Sequence, residues 1–399
     1  MSEKSTLDSK SMKVVDLFSG CGGLSKGFEL AGFNIVAAFE NNEGAIKCYN
    51  DNFESHKAIK QDLSNVIESI QRIAEHSPDV IIGGPPCQDF STAGRRIEGK
   101  RAALTEAYAK IVTSIKPEYF LMENVSRAKE SSSYLTAKRL VKNAGYGLTE
   151  RVVDSSLHGV PQRRKRFIVI GHLDDSDGFL DEFIEAGENI IPMTVRRKYP
   201  DFPVEHYYRH PRTYQRRAVF SIDEPAPTMR GINRPRPANY VPHKSDSSTS
   251  PNIRALSFKE RALLQTFPPT FRWEAISNST EIEQLIGNAV PVELAHRMGL
   301  YLKKYIDSNS PEHPLSFFEW LRENRSLSLE GAKDVISHLR RANKYEPLPE
   351  QMLSSSKYLD TLKLNDGFLA LSPSARQHLS RAIDLLFAYY ENANTLEIK

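Results

Sequence analysis

A chain of 399 residues, 40% hydrophobic and 26% charged, has the composition of an ordinary globular protein with room for two or three domains. No apolar run approaches the roughly 20 residues that cross a bilayer, and the polar N-terminus lacks a signal-peptide core. Three cysteines without a CxxC pair exclude a disulfide framework and a zinc site, and point to a reducing, cytoplasmic compartment.

The net charge of +3 implies no partner by itself, but its distribution is uneven. Residues 1–11 are Ser/Lys-rich and read as a disordered leader. Met12 to Phe18 is a short β-type run, followed by Ser19-Gly20-Cys21-Gly22-Gly23 and a helical pattern through Leu30. Strand, glycine-rich turn and helix bring free backbone N–H groups close to a ligand. The loop is not GxGxxG, and no Gly-Lys-Ser/Thr follows, which argues against a phosphate-gripping P-loop. A second strand, Asn34 to Phe39, ends in Glu40, about 20 residues past the loop, where an acid can bond the ribose of an adenosine-containing cofactor. A solvated surface glutamate is the alternative. Asp62, after a short strand from Lys57 to Lys60, either reaches an adenine amino group or caps the helix that runs to about Ala74.

The buried-strand pattern Asp79 to Ile82 is cut off by Gly83-Gly84-Pro85-Pro86-Cys87-Gln88-Asp89-Phe90-Ser91. A cysteine after the C-terminal end of such a strand sits where α/β sheets bind ligands; a structural cysteine in a tight turn is the competing reading. A basic loop from Gly94 to Arg101 precedes a helix from about Ala103 to Ile115. The strand Tyr119 to Met122 ends in Glu123, either a general acid or a helix-start acid. A helix near Ser133 to Asn143 and a strand near Thr149 to Val153 lead to Gln162-Arg163-Arg164-Lys165-Arg166 and a strand from Phe167 to Ile170. Four consecutive cations form a solvated turn or, beside a cysteine and a carboxylate, an anion clamp.

Composition then changes twice. Residues 172–195 carry seven acids and no Lys or Arg, whereas 196–254 carry twelve Lys/Arg against five acids, with nine prolines and seven aromatics. The second stretch has the character of a loop-built DNA-reading surface. Arg209, Arg212, Arg216, Arg217, Arg230, Arg234 and Arg236 are its candidates for guanine edges or phosphates, with a solvated basic loop as the alternative. Helical patterning over 315–399 predicts a small helical extension from about Ser308.

Taken together, Asp16-Leu17-Phe18-Ser19-Gly20-x-Gly22-Gly23, Pro85-Pro86-Cys87-Gln88, Glu123-Asn124-Val125 and Gln162-Arg163-Arg164-Lys165-Arg166 resemble the C5-cytosine DNA methyltransferase family. Arg254 to Pro268 and Ile286-Gly287-Asn288-Ala289-Val290-Pro291 resemble the family's remaining motifs, in the family's order. The resemblance implies a Rossmann-like α/β fold: a catalytic domain over 12–171, a target-recognition region over 172–253 and a return to the catalytic domain over 254–307, with 308–399 outside the family core. It implies that Cys87 attacks C6 of a flipped-out cytosine, that Glu123 bonds N3 and the amine, that Arg166 supports the base, and that Arg164 stands near the target phosphate.

S-adenosyl-L-methionine is the implied cofactor, with no metal. Its contacts carry over to Phe18, Ser19, Gly20, Cys21, Gly23, Glu40, Asn41, Asp62, Leu63, Pro86, Leu104, Asn288 and Val290. Gln88, Ser91, Arg95 and Arg96, with Lys100 and Arg101, belong to a loop expected to close over DNA, and Thr228 braces the flipped nucleotide beside Met229, where the family prefers Leu, Ile or Val. The expected partner is double-stranded DNA, with no membrane, in a cytoplasmic, nucleoid-associated monomer of a bacterial restriction–modification system. A cognate endonuclease would act on the same site. The alternatives are a tRNA cytosine-5 methyltransferase, whose Cys-Phe-Thr signature is missing because no cysteine follows Cys87, and an inactive DNA-binding paralogue.

Overall fold

The computed structural model describes residues 11–86, 102–213, 215–307, 317–348 and 354–396. Each early apolar run is followed by a helix, so successive strands return in the same direction. The elements are β1 (Lys13–Leu17), α1 (Gly23–Leu30), β2 (Asn34–Glu40), α2 (Glu43–Asn52), β3 (Ala58–Lys60), α3 (Val66–Ala74), β4 (Val80–Gly83), α4 (Ala102–Ile115) and β5 (Tyr119–Val125). Then follow α5 (Ser132–Asn143), β6 (Tyr146–Asp154), β7 (Gln162–Arg163) and β8 (Lys165–Leu173). The seven-stranded sheet has the order β3-β2-β1-β4-β5-β8-β6. Strands β1 to β5 pair in parallel, while β8 runs antiparallel between β5 and β6. This is a mixed, Rossmann-like α/β sheet, its core built on Leu17, Ile81, Phe120 and Tyr146 among others.

The antiparallel partner alters one expectation. The apolar run predicts a strand ending at Met122, yet β5 continues through Val125 because β8 supplies partners: Glu123 faces Ile168 and Val125 faces Arg166. Glu123 therefore stands within a strand, where pairing fixes its direction.

The chain continues through α6 (Asp181–Ala186), α7 (Val195–Lys198), β9 (His206–Tyr208), β10 (Val219–Ser221), β11 (Ala226–Pro227), α8 (Phe258–Leu264), α9 (Ser279–Asn288) and α10 (Val292–Ile306). Between β9 and α8 most of the backbone is irregular, as expected of nine prolines across 196–254. Two compact units result, one from the chain up to Asp181 with Met193–Lys303, the other from Glu182–Pro192 with the chain from Lys304 onward. The second unit contains α11 (Phe317–Glu323), α12 (Leu329–Ala342), α13 (Ser355–Leu362), α14 (Asp366–Leu369) and α15 (Pro373–Leu396) around Trp320, Leu339, Ile383 and Leu386. Residues 182–192 lie inside the stretch 172–253 by sequence but pack on these helices, through Ile190 and Ile191 and through Glu182 and Glu188, which pair with Arg322 and Arg340. No helix among the described residues is long and apolar enough to cross a membrane.

One carboxylate is fully buried beneath the glycine-rich turn. Asp16 Oδ2 accepts from the Ser25 N–H at 3.2 Å and from Ser25 Oγ at 2.6 Å, and Tyr49 donates to Ser25 Oγ at 2.8 Å. Burial pushes the Asp16 carboxyl up to about 7, against the pull of the two Ser25 bonds. An ordinary carboxyl titrates near 4, so between these values the folded chain binds the extra proton. The contribution of Asp16 to stability therefore weakens as pH rises from about 4 to about 7 and stays constant above. Asp16→Asn, which keeps an acceptor for Ser25, should gain stability relative to the native protein by on the order of 2 kcal/mol between pH 5 and pH 8. Denaturant unfolding of both proteins across that range measures the difference; parallel pH profiles would refute it.

Candidate active site

The turn after β1 is shaped by backbone constraints. Phe18 adopts φ +58°, a left-handed conformation unusual for a non-glycine residue. The Gly20 N–H donates to Glu40 Oε2 at 2.9 Å, and the Asn41 and Asn42 N–H groups donate to Glu40 Oε1 at 2.8 Å each. Glu40 thus ties the ends of β1 and β2 into one rim and keeps further lone pairs for a ligand. At Gly23 a Cβ would stand 2.3 Å from the Val290 carbonyl oxygen, so only glycine lets the start of α1 meet the chain after α9.

These contacts enclose two neighbouring hollows of about 450 and 390 Å³. The larger is lined by Phe18, Ser19, Gly20, Cys21, Gly23, Glu40, Pro86, Asn288 and Val290, and the smaller by Phe18, Glu40, Asn41, Asp62, Leu63, Pro86 and Leu104. Every residue expected to touch the cofactor lines one or the other. Buried Ser19 Oγ has no hydrogen-bond partner among the described residues, an orphaned group in the wall of the larger hollow. Apolar Phe18, Leu63, Pro86 and Leu104 beside carboxylates suit an aromatic base joined to a sugar and a polar tail. Asp62 does not cap α3, whose N-cap is Asn65; its carboxylate accepts from the Ser64 N–H and Oγ, and these bonds hold its pKa below the usual range. Burial raises the Cys21 thiol well above its ordinary value, so it acts as a small apolar wall.

The acid of the site is fixed from the adjacent strand. Arg166 Nε lies 2.7 Å from Glu123 Oε1, both largely buried, because Arg166 stands diagonal to Glu123 across the β5–β8 pairing. Asn124 Nδ2 donates to the Pro85 carbonyl at 3.1 Å and fixes the end of the chain that leads to Cys87. Pro85, Pro86, Glu123, Arg164 and Arg166 line the larger hollow together with the glycine-rich turn. Cys87, Gln88, Ser91, Arg95 and Arg96, and likewise Lys100 and Arg101, lie outside the described residues.

A separate cleft of about 690 Å³ is lined by Arg163 of β7 and by Arg209, Arg212, Arg216, Arg217 and Arg230 of the loop-rich segment, with Thr228 and Phe220. Not all these cations face it freely. Arg209 donates to the Thr228 carbonyl at 2.7 Å, and burial and neighbouring Arg230 bring its pKa down to about 9. Arg230 donates to the His210 carbonyl, and Arg217 pairs with Glu224 and lies over the Phe220 ring. Arg212 and Arg216 are exposed, Thr228 Oγ1 donates to the Arg163 carbonyl at 2.8 Å, and β11 pairs with β7. Arg234 is exposed and outside the cleft lining, and Arg236 bonds the Ser250 and Pro251 carbonyls.

Comparison with known proteins decides the class. The sequence model of the C-5 cytosine-specific DNA methylase family matches residues 12–202 and 185–304. The chain belongs to that family. The type II methyltransferase M.HgiDI of Herpetosiphon aurantiacus is 47% identical over 298 residues, 74% of this chain and 96% of the relative. M.HindV of Haemophilus influenzae is 50% identical over 288 residues, 71% of this chain and 94% of the relative. Among solved structures, the Dnmt2 methyltransferase of S. pombe superposes with a TM-score of 0.56 at 20% identity, covering 74% of this chain and 99% of that one, a likeness of fold. The methylase takes a methyl-donor cofactor and a DNA substrate.

Arg164, expected near a target phosphate, is 1% exposed. Its guanidinium donates to the carbonyls of Met229 (3.2 Å), Gly287 (3.2 Å) and Ala289 (2.9 Å). The irregular backbone at Met229 and the C-terminal end of α9 at Gly287 and Ala289 leave carbonyls that no ladder or helix bond satisfies, and the planar fork of Arg164 reaches them from inside. Gln162 and Gln265, both fully buried, do the same for Leu264, Ile286 and Ala289, and neither stood out in the sequence beyond its place in a motif. Glu281, Gln284 and Leu285 also line the larger hollow; their polar helix face gave no signal of it. Arg164→Ala should destabilise the methylase by about 3–5 kcal/mol, since each buried carbonyl left without a donor costs about 1–3 kcal/mol. Denaturant titration is the measurement, and a loss under about 1 kcal/mol would mean that water replaces the guanidinium.

Proposed function

We propose that the methylase transfers a methyl group from S-adenosylmethionine to C5 of a cytosine flipped out of double-stranded DNA. The observation that carries this reading is the shared cavity, where the Glu123–Arg166 pair faces the glycine-rich turn and the Asn288–Val290 segment. When bound, S-adenosylmethionine supplies an electrophilic methyl group on a sulfonium. Phe18, Leu63 and Leu104 would hold the adenine, Glu40 the ribose hydroxyls, and the turn around Ser19 and Gly20 the amino-acid end.

The residues of the chain carry the remaining steps. The Cys87 thiolate adds to C6, forming an S–C6 bond, while Glu123 gives a proton to N3. The displaced electron pair makes C5 nucleophilic, and C5 takes the methyl group. Loss of the C5 proton to solvent leaves its bonding pair to form the C5–C6 double bond, the S–C6 pair departs with sulfur as the thiolate, and N3 returns its proton to Glu123. Arg166 orients Glu123 and opposes charge on the base. C6 is unreachable in a stacked duplex, hence the flip.

The basic cleft supports a recognition role for its segment, with Arg163, Arg212 and Arg216 facing DNA and Thr228 bracing the nucleotide. The relatives' names, type II methyltransferases, support a modification enzyme of a bacterial restriction–modification system; in this reading it works as a monomer in the cytoplasm beside an endonuclease of matching specificity.

Incubation with S-adenosylmethionine and duplexes carrying 5-fluorocytosine should trap a covalent adduct through Cys87 at one short sequence, since fluorine blocks the final proton loss. Cys87→Ser should form no adduct and lose turnover by at least about a thousandfold while still binding cofactor and DNA. Normal turnover by that variant would remove Cys87 from the mechanism. Arg212→Ala should weaken DNA binding by about 1–3 kcal/mol, with relaxed site choice if it reads a guanine and a shallower salt dependence if it holds a phosphate. Unchanged binding would place Arg212 outside the interface.

A further inference from the structure

The segment proposed to read DNA and the segment proposed to close the cofactor cavity meet on buried polar groups. Arg164 Nη1 donates to the Met229 carbonyl at 3.2 Å, and Nη2 to the Ala289 carbonyl at 2.9 Å. A second chain of bonds joins the same two residues. The Met229 N–H donates to Gln162 Oε1 (2.9 Å), Gln162 Nε2 to Gln265 Oε1 (2.9 Å), and Gln265 Nε2 to the Ala289 carbonyl (3.1 Å). Arg164, Gln162 and Gln265 are each at most 1% exposed. Contact between the backbones is also tight, for a Cβ on Gly287 would stand 2.2 Å from the Gly231 nitrogen and 2.3 Å from the Arg230 carbonyl carbon.

The neighbours of these two residues face the two ligand regions. Thr228 and Arg230 line the basic cleft, while Asn288 and Val290 line the larger hollow below Phe18. We propose that Arg164 and the Gln162–Gln265 pair are positioning residues that couple DNA binding to cofactor binding through Met229 and Ala289. The proposal rests on the reading of both ligands given under Proposed function.

A planar guanidinium shared by carbonyls from two segments has one place from which its two terminal nitrogens reach all of them. A shift of Met229 must either break a bond in a site with little access to water or move Ala289 with it. DNA seated on Thr228 and Arg230 would hold Met229 in place, and so fix the backbone on both sides of Asn288. By linkage, cofactor in the hollow must favour DNA by the same factor.

The test titrates S-adenosylhomocysteine calorimetrically into the full-length protein, alone and with a saturating duplex that carries the mapped methylation site. Saturating DNA should tighten binding by roughly fivefold or more in the native protein. In Arg164→Lys, which keeps the charge but not the fork, the ratio of the two dissociation constants should fall to within about twofold of unity. Gln265→Leu cuts only the second chain of bonds and should give an intermediate ratio, which keeps the proposal testable if Arg164→Lys does not fold. A general loss of packing would weaken both titrations and leave their ratio in place. A native ratio near one, or an unchanged ratio in a folded variant, overturns the coupling alone. Failure of the native protein to bind S-adenosylhomocysteine at all would overturn the methyltransferase reading and the coupling with it.

Discussion

One guanidinium, that of Arg164, satisfies carbonyls 65, 123 and 125 residues away in sequence. The loop-rich segment has few ladder bonds of its own, so its backbone oxygens need other donors. Arginine supplies them repeatedly: Arg209 to Thr228, Arg230 to His210, Arg261 to Arg230, and Arg236 to Ser250 and Pro251. The cation-rich composition of 196–254 therefore serves two ends. Part of it replaces missing secondary structure from within, and exposed Arg212 and Arg216 add charge that faces solvent in the cleft.

This division marks the limit of what the sequence makes legible. The strand–turn–helix periodicity of the first 120 residues identifies the parallel half of the sheet, and the glycine-rich turn with Glu40 identifies the rim of the hollows, because both signals are local. Arginines destined for carbonyls and arginines destined for solvent look alike in a chain, since burial depends on contacts far away in sequence. The same holds for Glu123. The sequence places it at the end of an apolar run, but its position inside β5 and its ion pair with Arg166 depend on β8 entering antiparallel, and pairing register is a long-range property.

The rim itself shows structure and ligand drawing on the same groups. Glu40 accepts three backbone N–H bonds, which fix the turn before any ligand arrives, and Phe18 is held in a left-handed conformation there. Such strain persists only where the surroundings over-determine it. Asp16 below and Glu40 above hold the two ends of the turn, through Ser25 and through Gly20. The turn is thus preorganised, and a ligand need not meet the ordering cost when it binds.

The helical extension is organised differently. The family match ends at residue 304, so α11 to α15 lie beyond it, yet their core takes in Ile190 and Ile191 from far upstream. Those two side chains belong to an acidic segment whose Glu182 and Glu188 meet Arg322 and Arg340. Exposed ion pairs contribute little, so the apolar contact stabilises this junction more than the charges do. The upstream segment and the extension thus form one structural feature in two pieces of sequence. Ile190 and Ile191 add to a core that the helices already form, so packing groups 182–192 with a segment more than a hundred residues downstream, a contact that no local sequence pattern shows.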